Sequence, residues 1–84
     1  MPYIRPEART RIDQKLDPLL GWIESPGELS YVLTRVCQSY IGPTYDYDDL
    51  AHVLGALDGT AREFYRRVVV PYEEDKRHEN GDVF

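Results

Sequence analysis

The chain has 84 residues, a net charge of −5, six prolines, six glycines and a single cysteine. That is one small domain, which buries only about 60% of the surface its unfolded form exposes. One cysteine excludes an intramolecular disulfide, and no Cys/His cluster points to structural zinc, so self-association is the remaining source of stability.

The N-terminal stretch Met1–Pro6 has neither the apolar run nor the small-residue cleavage site of a secretory signal. The longest apolar run, Val68-Val69-Val70, is far too short for a membrane helix. An unpaired Cys37 suits a reducing compartment, so a cytoplasmic location is expected. The acidic balance argues against broad nucleic-acid binding, which depends on phosphate neutralisation. The charge is uneven, however. Residues 72–84 carry Glu73, Glu74, Asp75, Glu79 and Asp82 against Lys76 and Arg77, while Arg62, Arg66 and Arg67 cluster just before them.

In chain order, Pro6 fits a helical first turn and starts a short helix to about Lys15, with Glu7 and Arg11 at i,i+4. Asp17-Pro18 predicts a break and restart, because the residue before proline avoids the helical region. Residues 1–24 are thus expected as an arm of short helices. Ser25-Pro26-Gly27-Glu28 predicts the next start, with Ser25 as cap, Pro26 at the first helical position and Glu28 completing a capping box. Leu29, Val32, Leu33, Val36, Tyr40 and Ile41 then recur at helical steps, and Gly42-Pro43 stops a helix spanning about 26–41.

After a Tyr/Asp-rich loop capped by Thr44 or Asp46, the longest helix is predicted over about 47–70. Leu50, Leu54, Leu57, Ala61, Phe64 and Val68 step by 4, 3, 4, 3 and 4, an a/d stripe of nearly three heptads. Val68–Val70 have strand propensity but continue this register. Pro71 is expected to end or kink the helix, leaving 72–84 as an acidic segment with one further charged helical piece before Asn80-Gly81. The whole chain, 1–84, therefore reads as a single all-α domain. Residues 25–71 form its antiparallel helical hairpin.

No catalytic constellation stands out. Cys37 and Ser39 have no histidine at local spacing to act as a base, and the scattered glycines match no phosphate-binding loop. Asp48, Asp49 and His52 share one helical turn. That spacing occurs in helical di-metal sites, so a metal-dependent enzyme on Asp49 and His52 is a weaker alternative to simple favouring of the helix dipole. No cofactor is expected.

A second stripe, Ala51, Gly55, Gly59, Arg62 and Arg66, runs beside the leucines. Glycine inside a helix costs roughly 1 kcal/mol against alanine, so two on one face suggest a close approach there. The approaching helix is either the chain's own second helix, with Arg62 and Arg66 paired to Asp58, Glu63 or the acidic tail, or another subunit. Tyr31 and Arg35 stand at i,i+4, and Tyr65 adjoins Arg66. Aromatic faces beside forked guanidinium donors suit an anionic ligand, with Arg35, Arg62, Arg66, Arg67, Tyr31 and Tyr65 as the candidate ligand-binding residues. The competing expectation is that most of these rings are half-buried core.

Ser25-Pro26-Gly27-Glu28-Leu29-Ser30-Tyr31-Val32-Leu33-Thr34-Arg35 and Glu63-Phe64-Tyr65-Arg66-Arg67-Val68-Val69-Val70-Pro71-Tyr72-Glu73, with Gly55-Ala56-Leu57 and Asn80-Gly81-Asp82-Val83, resemble a family of small uncharacterised proteins from bacteria, metagenomes and tailed phages. The resemblance carries no catalytic residues. It implies a phage or mobile-element setting, in which small non-enzymatic oligomers sequester nucleotide signals of bacterial immunity in pockets between subunits. A homo-oligomeric nucleotide sponge is therefore the leading expectation for function. A module docking on a host or phage protein is the alternative.

Overall fold

The computed structural model describes residues 2–84, and every element among them is helical. Helix α1 spans Pro6–Leu20, α2 spans Pro26–Ile41, and α3 spans Tyr47–Phe64. A π turn at Tyr65–Val69 joins α3 to α4, Val70–Asn80.

The helix starts follow from their caps. Ser25 Oγ accepts the Glu28 N–H at 3.1 Å, and Glu28 Oε1 in turn accepts from the Glu24 N–H at 2.8 Å, one residue before the cap. The reciprocal bond thus closes on Glu24 rather than on Ser25. Asp46 caps α3 and completes a true capping box: Asp46 Oδ1 accepts from Asp49 N–H at 3.0 Å, and Asp49 Oδ2 accepts from Asp46 N–H at 3.1 Å. Gly42 ends α2 at φ 68°, and Gly81 ends α4 at φ 88°, conformations that side chains disfavour.

Pro18 departs from the sequence expectation, whereas at Pro71 the helix is perturbed without ending and the expected further helical piece follows. Pro18 does not break the arm into pieces: α1 runs through it to Leu20. Proline there removes the one N–H that would bond the Gln14 carbonyl, and the helix continues for only two residues beyond it. Pro71 does not end the last helix either. The backbone widens ahead of it, with the Val70 N–H donating to the Tyr65 carbonyl in an i→i+5 bond. This wider turn makes room for the proline ring, and the rod continues to Asn80. The acidic segment is therefore helical over its first nine residues. At 1.5 Å per residue, the 34 residues from Tyr47 to Asn80 extend about 51 Å, which is the molecule's longest dimension of 51 Å.

Helices α2 and α3 form the expected hairpin, but it is splayed. No described residue is buried. The radius of gyration is 16.6 Å, where a compact chain of this length has about 12 Å. No Cα of α1 lies within 8 Å of another helix. The apolar stripes formed as the spacing predicted, yet within one chain they cover almost nothing.

Candidate functional site

The splay between α2 and α3 opens an apolar groove. Its larger part has a volume of about 870 Å³ and is lined by Leu33, Val36 and Cys37 on one wall and Val53, Leu57 and Phe64 on the other. A second hollow of about 540 Å³ shares Leu33, Cys37, Val53 and Leu57 with the first, so the two are one continuous trough. The lining follows from the heptad stripe. Leu50, Leu54, Leu57, Ala61 and Phe64 all border it, because a and d positions share a face of α3. Tyr65 and Val69 extend that wall into the π turn.

The polar groups are uncharged side chains and one imidazole: Cys37, His52, Thr60 and the Tyr40 and Tyr65 rings border the larger part, and Ser30, Thr34 and Gln38 the smaller; none of the four candidate arginines lines either. Of the six ligand-binding residues expected from sequence, Tyr65 alone borders this trough. The structure places the others outside it.

Tyr31 and Arg35 do meet. The Arg35 guanidinium donates to the Tyr31 hydroxyl at 2.9 Å and lies 5.8 Å from the ring centroid. Arg35 also borders a shallow hollow of about 420 Å³ with Val36, Ser39 and Tyr40. Arg62 is bound to Asp58 at 2.9 Å on the solvent side of α3. Arg66 grips Glu63 with two donors, Nε at 2.6 Å and Nη2 at 3.2 Å. The Arg66 fork, followed by the nearby Tyr3 hydroxyl, holds the Glu63 carboxyl below its ordinary value. The same pairing raises Arg66 above its ordinary value. Among the described residues Arg67 has no carboxylate within 4 Å.

The glycine stripe has a specific outcome. A Cβ built on Gly55 or Gly59 would meet nothing within 4 Å. The chain's own α2 therefore does not use the room these glycines leave, although Arg62 and Arg66 do pair with Asp58 and Glu63 as that expectation required. Asp49, one half of the candidate metal pair, spends a carboxylate oxygen on the helix cap, and its companion His52 faces the groove. Among the described residues, no three His, Cys, Asp or Glu side chains gather where they could hold a metal.

The groove wall is formed by the a/d stripe, and the arginines expected to bind a ligand lie apart from it. The available signal was the a/d stripe itself, since a two-sevenths apolar face is narrow enough to be a seam between separate helices. An open helical hairpin with an uncovered apolar seam defines a small all-α domain. The chain belongs to the family described as Domain of unknown function (DUF6899), whose model matches residues 1–83. No curated protein matches it, and no solved structure does. No described helix is long and apolar enough to cross a membrane.

Proposed function

We propose that the chain is a non-enzymatic binding protein that acts as a homo-oligomer, assembled through the apolar faces of its helices. The observation that carries this is the absence of any buried residue among those described, in a chain whose helices nonetheless have well-formed apolar stripes. Apolar side chains drive folding by leaving water, and a single copy leaves Leu54, Phe64 and Val68 half or more exposed. A second copy supplies cover at no cost in new sequence. The unpaired Cys37 supports a cytoplasmic setting.

Native mass spectrometry and light scattering over a wide concentration range test the proposal. A defined oligomer that persists on dilution is the expected result. A folded, cooperative monomer would overturn it.

A second reading, an anionic ligand of nucleotide type, is favoured by the Arg35–Tyr31 pair and the unpaired Arg67 guanidinium. The Arg62 and Arg66 partners are surface carboxylates, and such pairs contribute little and yield to a stronger anion. Sequestration of a signalling nucleotide by a phage or mobile-element protein fits this chemistry. The same spectra, recorded with cyclic and ADP-ribose-type nucleotides, are expected to show whole-number ligand masses that Arg35→Ala and Arg66→Ala remove. Identical spectra with and without nucleotide would leave the protein as an interaction module.

A further inference from the structure

We propose that the α2–α3 groove receives helix α1 of a second copy, and that the exchange is reciprocal, producing a two-fold dimer. This rests on the homo-oligomer reading and adds which surfaces meet.

The area sets the scale. The chain exposes 7784 Å², whereas a compact protein of its mass exposes about 5,200 Å². The excess is about 2,600 Å² per copy, or about 5,200 Å² for two, which lies at the upper end of the range for obligate dimers. Covering the groove alone would leave a second apolar surface bare. Ala8, Ile12, Leu16 and Leu19 step by 4, 4 and 3 along one side of α1, and Ile12, Leu16 and Leu19 remain about two-fifths exposed. Packing groove against groove leaves this stripe in water, and no helix of the same chain approaches it.

Placing α1 in the partner's groove covers both surfaces with one contact, which the two-fold axis then repeats. Such an isologous arrangement closes on itself and forms no filament. The dimensions agree. Helix α1 has 15 residues, about 22 Å, and α2, the shorter wall, has 16 residues, about 24 Å. The connector Gly21–Ser25 is five residues long and spans at most about 18 Å, enough to carry α1 clear of its own hairpin. An amphipathic helix lying in an apolar groove is a common mode of recognition between chains.

Cys37 lines the groove and is the chain's one cysteine, so it serves as a reporter. Four double variants each combine Cys37→Ala with one of Ala8→Cys, Ile12→Cys, Leu16→Cys or Leu19→Cys. Each is co-expressed with a differently tagged chain that retains Cys37, and the purified pair is oxidised mildly. Disulfides require Cα atoms within about 7 Å, so one or two of the four positions are expected to give a covalent heterodimer, the others none. Single variants that retain Cys37 are oxidised in parallel.

A monomeric protein overturns this proposal and the homo-oligomer reading together. A stable oligomer in which no α1 position links to the partner's Cys37 overturns the exchange alone. Disulfides forming only within single chains, with none between tagged partners, mean that α1 closes on its own hairpin and also overturn it.

Discussion

The two halves of the 34-residue rod are made of different material. Helix α3 presents leucines and Phe64 to a groove that leaves them exposed. Helix α4 carries no such stripe and is laced with its own charges: Arg77 reaches Glu74 at 2.9 Å and Asp82 at 3.7 Å, Lys76 reaches Glu79 at 3.3 Å, and Lys76 lies 5.6 Å from the Tyr72 ring centroid. The Arg77 fork also holds the Glu74 carboxyl below its ordinary value. Pairs three residues apart support an isolated helix in water, whereas an a/d stripe supports one only when it is covered. One continuous helix thus contains an apolar-faced half and a charge-laced half, and changes to the two should have very different consequences.

The largest effect is expected at Leu57, which borders both parts of the groove. Leu57→Asp places a charge where a helix must pack, and it should cost about 3 kcal/mol or more. A melting temperature lower by about 15 °C is expected in circular dichroism, together with loss of the oligomer in light scattering. Glu74→Gln on α4 is the matched control and should leave assembly unchanged. Equal effects of the two would erase the contrast between the halves.

A smaller effect, of opposite sign, is expected on the glycine stripe. Gly55→Ala and Gly59→Ala should each stabilise the helix by about 1 kcal/mol, since nothing stands within 4 Å of the added methyl group. A fall in melting temperature for either variant would instead place another backbone against that face and make it part of the apolar-faced half's packing surface.

The smallest effect concerns Glu63. Its folded-state carboxyl titrates below the ordinary value of 4.5, chiefly because Arg66 donates to it. Its contribution is therefore present above the unfolded value and lost as pH falls through the folded one. Glu63→Gln should lower the melting temperature slightly at neutral pH, and the gap to the natural chain should close in acid. A gap that persists in acid would give Glu63 a packing role in place of an electrostatic one.

The bounds of α2, the start of α3 and the helical state of Val68–Val70 were legible from caps and periodicity, because Ser25, Asp46 and Gly42 act on their immediate neighbours. The continuity of α1 through Pro18 and the π turn ahead of Pro71 were not. A proline's effect depends on whether the backbone of the preceding turn can accommodate its ring, and that is not encoded at the proline itself. The Tyr31–Arg35 contact was visible because four residues bring two side chains together on any helix. The groove was not, since the same leucine stripe describes a closed hairpin or an open one. The separation of the walls depends on what lies between them.

The π turn has one more consequence. Widening a helix by one hydrogen-bond step is geometrically the same as inserting one residue, and one residue is about 100° of rotation. Helix α4 is therefore out of phase with α3: a heptad counted forward from Leu50 points in a new direction after Val69. Had the turn been ordinary, the stripe through Phe64 and Val68 would have continued to Pro71 and Asp75, bringing a carboxylate into line with the leucines. The slip lets a single uninterrupted rod change the direction it faces without a loop, so that Tyr72 and Lys76 take the positions Pro71 and Asp75 would have held.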